Sequence, residues 1–83
     1  MKQSIEQLAL KRLGLEAVYH GTTDGKLYKF KELKKLLVGQ GMSWVYAEKL
    51  LYELSSRGIL KRVARGLYEV DRRRLRFILD THR

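Results

Sequence analysis

The middle of the chain limits the possible folds most, because a capped helix, a glycine stop and a tight turn follow one another there. Ser43 is a residue type that accepts hydrogen bonds from the free amides of a first helical turn. Apolar residues then recur at helical spacing, at Ala47, Leu50, Leu51 and Leu54. Gly58 supplies the left-handed conformation that ends a helix, and Gly66 supplies it again between two short runs of β-branched and aromatic residues. The segment therefore predicts a helix over residues 43–57 and a β-hairpin over residues 59–70.

The register of this hairpin has two solutions. A three-residue connection, residues 64–66, would set Lys61 opposite Glu69. A two-residue connection would set Arg62 opposite Glu69 instead. Both registers place unlike charges across from each other, so charge does not decide between them. Residues 26–29 alternate as a short strand does and could add a third strand to the sheet.

A first helix is predicted over about residues 3–19, with Ser4 as its cap. Its apolar residues at helical spacing are Ile5, Leu8, Ala9 and Leu13. Gly14 leaves the end of this helix open, because residues 15–20 could continue it or become extended, and we favour the continuous helix. Residues 21–25 then have the composition of a loop.

A second helix is predicted from four apolar residues at helical spacing, Phe30, Leu33, Leu36 and Leu37. The glycines of residues 39–41 end it, and the connection to the next helix is as brief as in a helix-turn-helix pair. Asp71 is a suitable cap for a last helix over about residues 71–82. One face of that helix holds Leu75, Ile78, Leu79 and His82, and Phe77 points elsewhere. Residues 1–83 are therefore expected to form a single α+β domain that is mostly helical.

The chain is strongly basic, with 18 Lys and Arg against 9 Asp and Glu and a formal net charge of +9. This excess implies a polyanionic partner, for which nucleic acid is the first candidate. The absence of cysteine excludes disulfides and thiolate metal ligands. No apolar run suits a signal peptide or a membrane span, so we expect a cytoplasmic, nucleoid-associated protein, in the host cytoplasm if the source is viral. The absence of Pro and Asn, with 33% charged residues, favours a thermophilic source.

The positive charge is unevenly distributed along the chain. Residues 21–38 have a net charge of +3 and residues 59–70 of +2, whereas residues 39–58 are neutral. The elements beside the helix of residues 43–57 would then bind phosphates while that helix contacts base edges. The alternative is that the basic residues only keep a surface hydrated.

The helix of residues 43–57 has a second, more polar side opposite its apolar stripe. That side holds Val45, Lys49, Tyr52 and Ser56. Lysine can donate to guanine O6 and N7, tyrosine can contact a phosphate or a thymine methyl, and valine can pack on the same methyl. This side therefore suits a DNA major groove, although it also suits a contact with another protein chain. Ser43 and Trp44, at the helix start, are further candidate contacts, and Trp44 is expected to pack on the edge of the core first.

Two groups of basic residues are candidate phosphate contacts. The hairpin contributes Lys61, Arg62 and Arg65, of which Arg65 lies at the tip and could enter a minor groove or remain solvated. The outward face of the second helix contributes Lys31, Lys34 and Lys35. The last helix has four arginines that could contact a nucleic-acid backbone or simply keep the helix soluble, Arg72, Arg73, Arg74 and Arg76.

The sequence offers little support for catalysis or metal binding. Residues 21–27 are similar to a phosphate-binding loop, but their glycine spacing is one residue short, and Leu27 stands where a Mg²⁺-binding Ser or Thr is needed. His20 and His82 have no partner at ligand spacing. No enzymatic activity, cofactor or metal is therefore expected.

Two short passages add a resemblance to the order of the predicted elements. They are Arg57-Gly58-Ile59-Leu60-Lys61-Arg62, at the end of the central helix, and Arg65-Gly66-Leu67-Tyr68, in the hairpin. With the order strand, helix, turn, helix, strand, turn, strand over about residues 28–70, they resemble the winged helix-turn-helix family of DNA-binding regulators, including its compact archaeal and archaeal-virus types.

The resemblance implies a sequence-specific transcriptional regulator that binds double-stranded DNA. In such a protein, residues 43–57 lie in the major groove, and the wing of residues 61–67, part of a two- to three-stranded sheet, contacts the backbone or the minor groove. The outer helices form a homodimer, for which Leu10 and Phe77, off the main apolar stripes, are candidate interface residues. The chain departs from the family pattern in having a very short wing and no ligand or effector domain, so a small-molecule effector is not expected. The alternatives are a non-specific chromatin-like or RNA-binding protein and a winged-helix module that binds other proteins.

Overall fold

Four helices and a three-stranded antiparallel sheet make up the part of the chain that the computed structural model describes, residues 5–81, with side chains from residue 9 onward. In chain order the elements are α1 (Ile5–Gly21), β1 (Leu27–Lys29), α2 (Phe30–Val38), α3 (Trp44–Ser56), β2 (Leu60–Ala64), β3 (Leu67–Val70) and α4 (Arg72–Thr81). The predicted α+β class, mostly helical, is confirmed. Four of the predictions fall outside the described residues: the start of the first helix at residue 3, the end of the last helix at residue 82, the Ser4 cap and the position of His82.

The sheet has the strand order β1-β3-β2, so the predicted third strand is present and pairs with the second strand of the hairpin. The hairpin combines features of both predicted registers. Its connection is the two-residue turn Arg65-Gly66, in which Gly66 has a φ of 75°. A register shift between Arg62 and Ala64 then sets Lys61, and not Arg62, opposite Glu69. One extra residue in the first strand therefore compensates for the shorter turn.

The core contains leucines from all four helices together with three residues of the sheet, Tyr28, Leu60 and Val70. The stripe predicted on α3 is buried in full: Ala47, Leu50, Leu51 and Leu54. On α2 and α4 the buried residues are Leu33, Leu37, Leu75 and Leu79, which also lie on the predicted faces. The amphipathic pattern thus sets the inward side of these three helices.

The face predicted for α1 is wrong where the structure describes it. Ala9 is exposed and Leu13 is 39% exposed, whereas Leu15 and Val18 are buried, and Leu10 packs against the core instead of lying free. Gly14 explains the difference, because a Cβ atom there would lie 2.5 Å from Cδ2 of Leu50 in α3. The helix packs closely through this glycine and continues past it, as the continuous alternative predicted. The side chains of Ile5 and Leu8 lie outside the described residues.

Two predicted helix caps are confirmed by their hydrogen bonds. The Tyr46 amide donates to Ser43 Oγ at 3.1 Å, and the Arg74 amide donates to Asp71 Oδ1 at 3.0 Å. The hydrogen bond from the Arg74 amide, with the nearby Lys61 ammonium, lowers the pKa of Asp71 below its ordinary value of 3.8. The ionised form of Asp71 therefore stabilises the start of α4.

We expect Asp71→Ala to lower the free energy of unfolding by about 1 kcal/mol near neutral pH, the usual cost of losing a cap. Because folding lowers the pKa of Asp71, the stabilisation by its carboxylate is complete above the ordinary pKa and decreases as the pH falls through the folded-state pKa. The difference between wild type and variant should therefore shrink in acid. Urea unfolding at neutral and acidic pH measures it, with Asp71→Asn as the control that keeps an uncharged cap. A difference that does not change with pH would contradict the assignment.

Candidate nucleic-acid interface

The outward face of α3, meaning Val45, Lys49, Tyr52 and Ser56, is exposed along the whole helix, as its spacing predicts. Val45 is 77% exposed and Tyr52 59% exposed. Large apolar and aromatic groups in water are typical of surfaces that bind a partner. The helical wheel therefore separated the core side of α3 from its solvent side correctly.

Both carboxylates of α3 are paired with cations. Glu48 Oε2 lies 3.1 Å from the Lys34 ammonium of α2. Glu53 Oε2 lies 2.5 Å from the Lys11 ammonium of α1 and 3.4 Å from the Arg57 guanidinium at the end of α3. The charges that would repel a polyanion are thus partly neutralised, and the charge on the outward face itself is that of Lys49.

Lys34 does not lie on the exposed side of α2, which corrects the expectation of three outward lysines there. Its side chain is only 12% exposed, and its ammonium lies 4.2 Å from the ring centroid of Trp44 and 5.3 Å from that of Phe30. Lys34 therefore connects α2 with the start of α3, with Trp44 partly packed against it. The other two lysines, Lys31 and Lys35, are exposed as predicted.

Lys34→Ala is expected to lower the free energy of unfolding by about 1–2 kcal/mol, because it removes cation–π contacts and an ion pair from a largely buried ammonium. The exposed Lys31 on the same helix provides the matched control, since Lys31→Ala should change stability by no more than about 0.5 kcal/mol. Chemical denaturation of the two variants gives the comparison. Equal stability losses would show that the contacts of Lys34 contribute nothing.

An aromatic group connects α3 with the sheet. Phe30, the first residue of α2, stacks on Tyr52 with ring centroids 5.3 Å apart and planes at 29°. The Phe30 ring also lies 5.7 Å from that of Tyr68 in β3. Sequence reasoning missed this group because it assigned Phe30 only to the core face of α2. The signal was the position of Phe30 directly after a strand, where a helix start lies against the sheet.

The hairpin separates its basic residues by strand alternation. Arg62 is paired with Tyr68, so its side chain lies on the same face of the sheet as that ring. Lys61 points to the other face, where its ammonium nitrogen lies 3.5 Å from Asp71 Oδ2. Arg65 is exposed at the tip. The structure therefore places Arg62 next to the aromatic group, whereas Lys61 lies apart from it.

Three of the four arginines of α4 bind backbone or side-chain oxygens of this chain. Arg72 Nη2 donates to the Tyr19 carbonyl at 3.0 Å, and Arg74 Nη1 donates to the Arg57 carbonyl at 3.1 Å. Arg76 donates to the Tyr19 hydroxyl at 3.2 Å. These contacts attach α4 to α1 and to the end of α3, a role that neither predicted alternative included.

Other kinds of site are not found in the described part of the chain. No group of three or more His, Cys, Asp or Glu side chains within residues 9–81 is placed to hold a metal ion. None of the helices described is both long and apolar enough to cross a membrane. No protein-family model matches the chain, and no curated protein or solved structure is significantly similar to it.

Proposed function

We propose that the chain is a winged helix-turn-helix protein that binds double-stranded DNA in a sequence-specific way and regulates transcription. The observation that supports this proposal most is the outward face of α3, which is exposed and contains Lys49. The two carboxylates of the same helix are paired with cations of α1 and α2. The short connection between α2 and α3 and the hairpin that follows them have the order such a fold requires.

The basic residues around α3 are suited to hold a DNA backbone. Lys31 and Lys35 are exposed on α2, and Arg62 and Arg65 are exposed on the hairpin. Cations on these neighbouring elements would bind phosphates, and a helix with little charge of its own could then approach base edges in the major groove. In this proposal the hairpin is the wing.

Selection of bound duplexes from a random pool tests the proposal. We expect a defined motif whose affinity exceeds that of random DNA by a factor of about 10³ or more, with both affinities falling as salt rises. Equal affinity for selected and random duplexes would indicate a non-specific DNA-binding protein. No salt-sensitive DNA binding at all would favour a protein-interaction module.

Arg65→Ala should weaken binding to selected and random duplexes by similar factors, because a phosphate contact is independent of sequence. The slope of log affinity against log salt should fall in magnitude by about one for each phosphate that the side chain no longer neutralises. Arg65→Lys, which retains the charge, is the control and should keep the slope. A decrease in affinity that depends on A·T content would instead place Arg65 in the minor groove, and unchanged binding would remove the hairpin from the interface.

A second copy of the chain is the proposed protein partner, in a cytoplasmic homodimer. Lys11 pairs with Glu53 of α3, and the next residue, Arg12, donates to the Leu79 carbonyl of α4. Successive residues of a helix are about 100° apart, so α3 and α4 pack on different sides of α1. A copy that covers the outward side of α4 would therefore leave α3 free to bind DNA.

A further inference from the structure

We infer that the outward face of α3 recognises the C5-methyl groups of two thymines that flank a guanine. The inference rests on the proposed function and specifies the bases that the same site would bind. Three observations support it: the set of hydrogen-bonding side chains on α3, the contact of Tyr52 with Phe30, and the spacing of the exposed residues.

The side chains of α3 limit what the helix can read. Its sequence contains no Asn, Gln or Arg, so it lacks the usual bidentate partners of adenine and the most frequent partner of guanine. Glu48 could accept from cytosine N4, but its carboxylate is paired with Lys34. Lys49 is the remaining long donor, and it matches the two acceptors of guanine. The other large groups on this face are Val45 and Tyr52, which suit methyl groups.

The ring of Tyr52 stacks on the Phe30 ring, 5.3 Å away between centroids, and this contact favours one orientation of the Tyr52 side chain. Phe30 itself contacts Tyr68, so the ring of Tyr52 is supported from α2 and, through Phe30, from β3. A side chain already ordered loses less entropy on binding than a mobile one. Tyr52 therefore offers the groove a ring surface that is supported by its neighbours, and Val45 offers a β-branched side chain with few rotamers at the other end of the face.

The spacing of the three residues gives the order of the bases. At a rise of about 1.5 Å per residue, Val45 and Lys49 are about 6 Å apart along the helix, and Lys49 and Tyr52 about 4.5 Å. Successive bases of a strand are separated by about 3.4 Å. For a docking in which the axis of α3 runs along the groove, the contacts of Val45 and Lys49 fall about two base steps apart and those of Lys49 and Tyr52 about one. The resulting half-site has four base pairs. Their order along the duplex is thymine, any base, guanine and thymine, and each thymine can belong to either of the two strands.

Replacing thymine with deoxyuridine tests the inference, because it removes only the methyl group. Starting from the selected duplex, each thymine is replaced singly and the affinity of the wild-type protein is measured. We expect affinity to fall by about three- to fivefold, the effect of one buried methyl-sized group, at the two inferred positions and to stay unchanged elsewhere and in random DNA. A selected duplex without any uracil-sensitive position would overturn the inference and leave the proposed function intact. Failure to select any duplex would overturn the proposed function itself.

Two protein variants connect each methyl group with its side chain. Val45→Ala is a substitution on the exposed face. In this variant, deoxyuridine at the first thymine of the half-site should lower the affinity no further, while deoxyuridine at the second thymine should still lower it. Tyr52→Phe should keep the full sensitivity at the second thymine, since it retains the ring that makes the contact. A lower affinity in Tyr52→Phe together with the disappearance of uracil sensitivity would assign the contact to the hydroxyl and overturn the methyl assignment at that position.

Discussion

Phe77→Asp is expected to abolish the proposed homodimer and to lower affinity for a duplex with two half-sites by about 100-fold or more, because linked binding of two modules raises affinity by factors of about 10²–10⁴. Phe77 is 70% exposed on α4, on the side opposite the buried Leu75 and Leu79. Affinity for a single half-site and thermal stability should change little, since the residue takes no part in the core of one copy. Light scattering with and without DNA gives the mass. A monomeric wild type at micromolar concentrations would contradict the prediction.

The charges beside Phe77 allow a sharper form of this test. In an antiparallel pair of α4 helices centred on Phe77, Asp80 of one copy lies near Arg73 of the other, because the two residues are at similar distances on either side of the centre. Arg73→Asp and Asp80→Arg should each weaken the dimer through a pair of like charges. The double variant should restore it. If all three variants dimerise as the wild type does, the dimer forms through another surface.

Lys49→Ala is expected to lower affinity for the preferred duplex by a factor of about 5–150, equivalent to about 1–3 kcal/mol for a good base contact, and to affect random DNA much less. The exposed Lys31 is the matched control, because Lys31→Ala should weaken both duplexes alike as a phosphate contact. Competition binding at fixed salt measures both. Equal decreases on the two duplexes for Lys49→Ala would show that α3 positions the domain without discriminating bases.

The part of the site on α3 was predictable because its signals are local. The Ser43 cap, the leucine stripe and Gly58 together determine both ends of the helix and its inward side, and Gly58 has the expected positive φ of 78°. The residues that point outward then follow from helical geometry alone.

The parts that could not be predicted depend on neighbouring elements. The apolar pattern of α2 places Lys34 outside the core face of the helix. It does not show that Trp44 and Glu48 of α3 lie next to the Lys34 side chain. The close approach of α1 through Gly14 likewise depends on Leu50, which is distant in sequence. A bulge that changes the hairpin register has no clear sequence signal, because both registers pair unlike charges.

The sheet order has a consequence for aggregation. With β3 in the centre, β1 and β2 form the two edges of the described sheet, and unpaired edges are the usual templates for strand addition between copies. Here β1 is only three residues long, and β2 contains both a bulge and the charged residues Lys61 and Arg62. These features are known to block edge-to-edge pairing. Copies held at high local concentration along one DNA molecule, as the proposed function implies, are therefore not expected to join their sheets into fibrils.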